Sequence, residues 1–287
     1  MHSHSEFFGV MVALLLSLIM LPFTSAAINP EPDLRVLQIC FFDGFMQPTL
    51  HMPPPLSTAE ASDPQWRCIE EPASALLSVA AVAAHSYLLS KFRRCASPDY
   101  PFYRATVAHS VGWIFTSVSA VLLHIHEDRP YFVHEKLDYY GVFVSFCMGV
   151  YLAYAHVLRL APASKHRRSA KAFTCFVSVC FISYMQFVRF NYGRHVALCG
   201  ALMVIMSLLY AVQFFVGKQD HARYFLYGSL VLVVASPAEF FDFRPILGFL
   251  DGHALWHLAA LPTAFLWNDY FRKDAEIHRG VRAKQAL

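Results

Sequence analysis

The sequence predicts an all-α membrane protein, a bundle of seven transmembrane helices behind an N-terminal signal peptide. Three observations carry that expectation. Of the 287 residues, 56% are hydrophobic and mean hydropathy is +0.41. Only 15% are charged, against roughly 25% in soluble domains. The apolar residues also gather into windows near the ~20 residues that cross hydrocarbon, and Lys and Arg collect in alternate connections between them. The 26 phenylalanines suit helices that face lipid. A formal charge of +3 says little about partners by itself. No basic aromatic stripe, Gly-rich phosphate loop or zinc-ribbon pattern is present, which sets nucleic-acid and nucleotide binding aside.

Residues 1–26 pass from Met1-His-Ser-His-Ser-Glu into an apolar core, Gly9 to Leu21. Thr24-Ser25-Ala26 then offers small residues to signal peptidase, the pattern of a secretory signal. Residues 27–71 are polar and broken by Pro53-Pro54-Pro55, so they read as a short lumenal segment without its own core. The membrane domain spans 72–271. Its windows are Pro72–Ser90, Ala105–Leu123, Tyr139–Leu158, Ala172–Val188, Val196–Val216, Tyr224–Phe241 and Ala254–Phe271. Pro237 and Glu239 weaken the sixth; Pro262 in the seventh is tolerable where neighbouring helices satisfy the freed backbone. Residues 272–287 form a basic tail.

Charge orients the windows. Lys91, Arg93 and Arg94 follow the first, and Arg159, Lys165, Arg167, Arg168 and Lys171 follow the third. Lys218 and Arg223 follow the fifth, and the tail adds Arg272, Lys273, Arg279, Arg282 and Lys284. The intervening loops are acidic or poor in Lys and Arg. By the positive-inside rule the N-terminus is lumenal and the tail cytosolic. Cys40 and Cys68, in the lumenal segment, are candidates for one disulfide. Cys147, Cys175, Cys180 and Cys199 lie in apolar runs and read as packing residues. No internal repeat appears, so the chain reads as one domain.

Polar groups converge at one depth of this topology. His253 and His257 in Asp251-Gly-His-Ala-Leu-Trp-His257 share a helix face. The second window ends on the same side at His124-Ile-His126-Glu127-Asp128, and the third begins there at Glu135-Lys-Leu-Asp138. Polar side chains at a membrane-helix end usually mark a functional site. Three nitrogen ligands and an open position make a catalytic zinc arrangement, in which a bound water's pKa falls towards ~7. The candidate ligands are His124, His126, His253 and His257, with one or both of the first pair taking part. Interfacial histidines bonded to water and backbone are the plainer alternative. Asp251 could orient a histidine or cap the seventh helix. His85, His109 and His156 read as packing residues, His134 as a solvated loop residue, and His166 and His221 as cytosolic.

Several blocks in order resemble a known family. They are Glu70-Glu-Pro-Ala-Ser74, Glu135-Lys-Leu-Asp-Tyr139, Arg189-Phe-Asn-Tyr-Gly193, Phe241-Asp-Phe-Arg-Pro245 and Leu250-Asp-Gly-His-Ala-Leu-Trp-His257. The stretch from Glu70 to Asp274 is similar to the post-GPI-attachment-to-proteins factor 3 family. That group of GPI-remodelling proteins belongs to the superfamily of alkaline ceramidases and progestin/adipoQ receptors. The resemblance implies a seven-helix, Zn2+-dependent hydrolase. It further implies phospholipase A2-type removal of the sn-2 acyl chain from GPI-anchored proteins in the endoplasmic reticulum or Golgi membrane.

Carried over by residue, the ligands become His124 or His126 with His253 and His257, and Asp138 becomes the carboxylate that holds the water. The superfamily's helix-two serine has Ala at position 120 here, and Ser119 is the nearby hydroxyl. The partners implied are GPI-anchored proteins, through their lipid, and membrane lipids. A chain ending in Ala283-Lys-Gln-Ala-Leu287 has neither a KDEL-type signal nor an apolar GPI-attachment tail, so it is expected to handle anchors without carrying one. Two other functions fit the same pattern: a ceramidase-like amide hydrolase, and a non-enzymatic receptor or cargo factor with a structural zinc.

Overall fold

The computed structural model describes residues 71–125, 132–188, 190–240, 246 and 250–285. The signal peptide, Cys40, Cys68 and His126 lie outside the described residues. Seven helices occur among the described residues. They are α1 (Pro72–Cys95), α2 (Tyr103–Ile125), α3 (Phe132–Val157), α4 (Lys165–Phe187), α5 (Tyr192–Phe215), α6 (Ala222–Phe240) and α7 (Gly252–Gln285). Five of them, α1 to α5, are long and apolar enough to cross a membrane; Ala222–Pro237 forms a shorter apolar stretch within α6. On α2 the exposed apolar side chains Val111, Phe115, Val118 and Leu122 recur at helical spacing. Such a stripe on the outside of a helix belongs against lipid rather than water.

The chain divides into two compact units. Within the described residues the smaller comprises 179–188 and 190–202, the end of α4 and the start of α5. There Asn191 Oδ1 accepts the Arg194 N–H at 2.9 Å and so caps α5, while Arg194 donates to the Tyr184 hydroxyl. The larger unit holds α1–α3, α6, α7 and the remainder of α4 and α5. In it α1 packs on α2, α2 on α3, and α7 on both α1 and α6.

Small residues allow these close approaches. A Cβ on Gly141 of α3 would meet Thr116 Oγ1 of α2 at 2.7 Å, and one on Gly112 of α2 would meet Ser145 Oγ of α3 at 3.1 Å. These two contacts fix an antiparallel α2–α3 register. A Cβ on Gly228 of α6 would lie 2.7 Å from Trp267 Nε1 and 2.8 Å from its Cδ1, while Thr263 of α7 donates to the Gly228 carbonyl at 3.1 Å. Gly228→Ala is therefore expected to destabilise the protein by about 1–3 kcal/mol through overpacking, read as a lower midpoint of thermal unfolding in detergent. An unchanged midpoint would mean that the indole moves aside freely.

At the end where α1 stops and α2 starts lies a buried polar network. Asp274 of α7 accepts from the Tyr100 hydroxyl and lies 3.1 Å from His221 Nε2. His156 Nε2 is 3.1 Å from the Tyr100 hydroxyl and 3.7 Å from the Asp274 carboxylate. His156 is thus partnered, not merely a packing residue. Its partners come from separate elements, so no local pattern reveals them.

Two boundaries differ from the apolar windows. α3 begins at Phe132, so His134 and Glu135-Lys-Leu-Asp138 are helical rather than in a loop; hydropathy does not register a polar turn that is still hydrogen-bonded. α7 runs on to Gln285, through the charged stretch after Phe271. Its internal Pro262 does not end it.

Candidate metal centre

Asp251 starts the site by starting α7. Its Oδ1 accepts the Ala254 N–H at 2.7 Å, the N-cap that was one of the two roles its position allowed. The cap sets the first turn, and His253 and His257 follow on one face with Nε2 atoms 3.1 Å apart. The last turn of α2 brings His124 to the same place, its Nε2 3.2 Å from that of His257. Ligand nitrogens of all three residues lie within 4.8 Å of one another. His124 is only 2% exposed; the other two are half-buried.

The fourth residue, Glu71, plays no part in the expectations for the site. It precedes Pro72 at the start of α1 and makes no side-chain cap there. Its backbone N–H reaches the His124 carbonyl at 3.5 Å, and its Oε2 lies 2.9 Å from His124 Nδ1. Burial would raise the Glu71 carboxyl pKa, but the His124 contact and the His253 imidazole outweigh it and hold the group well below the usual carboxylate range. An ionised carboxylate only accepts. Its place beside Nδ1 favours the tautomer with the His124 proton there, with Nε2 facing the other two histidines.

That assignment decides what the cluster can hold. A neutral imidazole has one N–H, so His257 cannot donate to both neighbours at once. Three ring nitrogens within 4.8 Å of one another could direct their lone pairs together onto one shared cation. Zinc bound tetrahedrally at 2.0–2.1 Å from each nitrogen requires nitrogens about 3.3 Å apart. The spacings of 3.1 and 3.2 Å agree with this within a few tenths of an ångström, so the donor set fits a single ion. Glu71→Gln should weaken metal affinity about 10- to 100-fold by loosening the His124 tautomer, measured by competition with a chelator of known affinity. Wild-type affinity in that variant would show that Glu71 does not orient the ligand.

Asp138 and Ser119 lie deeper in the same end of the unit. Extending the Gly112–Ser145 and Thr116–Gly141 register along the two helices sets Asp138 at the level of Ser119. That level is about 7 Å along α2 from His124. Asp138 is 7% and Ser119 3% exposed. The Ser119 hydroxyl donates to the Phe115 carbonyl at 3.1 Å, which leaves its oxygen lone pairs as acceptors. The structure therefore gathers His124, His253, His257 and Glu71 directly, whereas Ser119 and Asp138 are buried more than a turn further along α2 and α3, Ser119 on another face of α2 than His124.

The comparisons with known proteins cover this same stretch. The model of the Per1-like family matches residues 65–275. A zebrafish (Danio rerio) protein named GPI-specific phospholipase A2-like PGAP3 is 28% identical over 218 residues, 74% of this chain and 66% of that protein. A Drosophila melanogaster protein named post-GPI attachment to proteins factor 3 is 30% identical over 205 residues, 69% of this chain and 60% of its own length. A Schizosaccharomyces pombe protein named protein PER1 homolog is 30% identical over 198 residues, 63% of this chain and 56% of that one. The chain thus spans roughly two thirds or less of the length of these relatives. No solved structure matches it.

Proposed function

The chain belongs to the Per1-like family, and from that premise we propose that it remodels GPI anchors by zinc-dependent hydrolysis, of phospholipase A2 type, of the sn-2 acyl ester. The observation that carries the proposal is the cluster of three Nε2 atoms at one end of α2 and α7. His124, His253 and His257 would hold the metal. Zinc supplies a Lewis acid that polarises an ester carbonyl and makes a water acidic enough to react near neutral pH.

This chain's own residues set the conditions for that chemistry. Glu71 keeps the His124 proton on Nδ1. Buried Asp138 would hold the water and take up its proton as the carbonyl is attacked, and Ser119 would help fix the carboxylate's surroundings. The hydrolysis leaves a free sn-2 hydroxyl on the anchor and releases the fatty acid. Apolar faces of the helices would accommodate that acyl chain and exclude bulk water from the ester. The reading includes a lumenal N-terminus, a cytosolic basic tail, seven spans and residence in the endoplasmic reticulum or Golgi membrane. GPI-anchored proteins are its partners as substrates.

Mass spectrometry of GPI lipids from cells lacking the protein tests the reading. Such cells should retain an unsaturated sn-2 chain that re-expressed wild type removes. Purified wild type should lose the activity to a chelator and regain it with added zinc. GPI lipids identical with and without the protein would overturn the substrate, and turnover of ceramide would then identify an amide hydrolase. Deacylation that survives complete metal removal would overturn the zinc chemistry alone.

A further inference from the structure

A second site is carried by α1 at the end far from the histidines. A groove of about 440 Å³ lies between α1 and the start of α2, lined by Ser86, Leu89, Ser90, Arg93, Arg94 and Tyr103. The five α1 residues recur at helical spacing, so they form one face. Among the described residues no carboxylate lines the groove. Neither arginine makes an ion pair among the described residues, and both are exposed. Its lining thus brings together two arginines, two serines and a tyrosine, all able to donate hydrogen bonds. Guanidinium groups match phosphate oxygens in geometry as well as in charge.

The surroundings say what kind of phosphate belongs there. The same exposed face of α1 continues upward through Ala83, Val79 and Leu76, an apolar strip leading out of the groove. Beside the groove Lys91 sits over the Tyr87 ring, 6.0 Å from its centroid, and Tyr87 is 53% exposed; basic and aromatic side chains of this kind mark the headgroup level of a bilayer. Depth agrees. Tyr103 opens α2 and His124 nearly closes it, and a helix of 23 residues is about 34 Å long, close to the ~30 Å of bilayer hydrocarbon. If the histidine cluster lies at one membrane face, the groove lies at the other.

We infer that this groove binds the phosphate of an anionic phospholipid headgroup, with an acyl chain along Ala83, Val79 and Leu76. The ligand is a lipid and not a soluble phosphate, because the donors end an apolar, lipid-facing strip. The site is independent of the chemistry at the histidine cluster and stands whether or not that cluster hydrolyses anything. Basic pockets between transmembrane helices are suited to such headgroups, and each basic residue near the surface contributes about 1 kcal/mol.

The test is native mass spectrometry of the full chain in mild detergent, offered equal amounts of phosphatidylinositol and phosphatidylcholine. Wild type should retain phosphatidylinositol preferentially, and R93Q/R94Q should lose about 30-fold of that preference. R93K/R94K, which keeps both charges, should retain part of it; this keeps the test alive if the neutral variant unfolds. An excess of inorganic phosphate should not displace the lipid from wild type. Equal retention of both lipids by wild type, or an unchanged preference in a folded R93Q/R94Q protein, would overturn the inference. Displacement by inorganic phosphate would reassign the groove to a soluble anion and overturn the lipid.

Discussion

Replacing His257 with alanine should empty the metal centre and lower GPI-lipid deacylation by at least about 100-fold, the scale at which loss of a single electrostatic element acts in hydrolases. His257 is the sharpest choice because it is central: its Nε2 lies 3.2 Å from that of His124 and 3.1 Å from that of His253. Its removal leaves two nitrogens, one short of the three a catalytic zinc site uses. The measurement pairs metal content with deacylation on one preparation, beside a thermal-unfolding control. Loss of both with the fold intact is the expected result. Full activity in the variant would mean that the metal is structural or absent and the hydrolytic mechanism wrong. Retained metal with lost activity would instead move His257 from ligand to acid–base group.

The membrane architecture and half of the centre can be read from the chain because both are written in local spacing. Apolar windows at bilayer length locate helices, and His253 with His257 one turn later puts two ring nitrogens on one side of a helix, a spacing that can serve a metal. His124 comes within reach by a longer argument, in which charge bias puts the ends of two windows on one side. Glu71 is not accessible in that way. Its carboxylate stands beside a proline in a motif, and nothing local distinguishes it from a helix cap until α1 and α2 pack and turn it towards His124. The same reason hides His156, whose partners Tyr100 and Asp274 come from other elements. Tertiary contacts between single residues leave no periodic trace.

The seven windows and the five long apolar helices also differ for a physical reason. Pro237 lies inside α6 and shortens its apolar run, while α7 carries its histidines at one end and a charged extension at the other. Both helices are nevertheless tied into the unit. Thr263 donates to Gly228, and Asn268 donates to the Leu88 carbonyl at 3.2 Å. α6 is as apolar as its neighbours but shorter, whereas α7 is less apolar because of its charged extension.

The network around Asp274 should show the largest effect on stability. Asp274→Ala is expected to cost about 3 kcal/mol, since it strips a half-buried, charged acceptor from His221, which loses its carboxylate partner, and from Tyr100, which keeps only His156. At roughly 2–4 °C per kcal/mol for a chain of this order of size, the unfolding midpoint should fall by about 6–12 °C. Asp274→Asn, which keeps one acceptor oxygen, should lose about half as much. Burial would raise the Asp274 pKa, but the His221 contact, the His156 imidazole and the Tyr100 hydroxyl together lower it from the usual 3.8 to about 2. A depressed folded pKa stabilises above the unfolded value, so the contribution is complete above about pH 4 and is lost as the pH falls through about 2. Wild type and the alanine variant should therefore converge in stability at acid pH and separate at neutrality. Because His253 opens α7 and Asp274 lies some six turns on, the variant should still bind metal at permissive temperature. A midpoint within about 2 °C of wild type would show that water already satisfies these groups. Loss of metal in a folded variant would show instead that α7 transmits strain between its two ends.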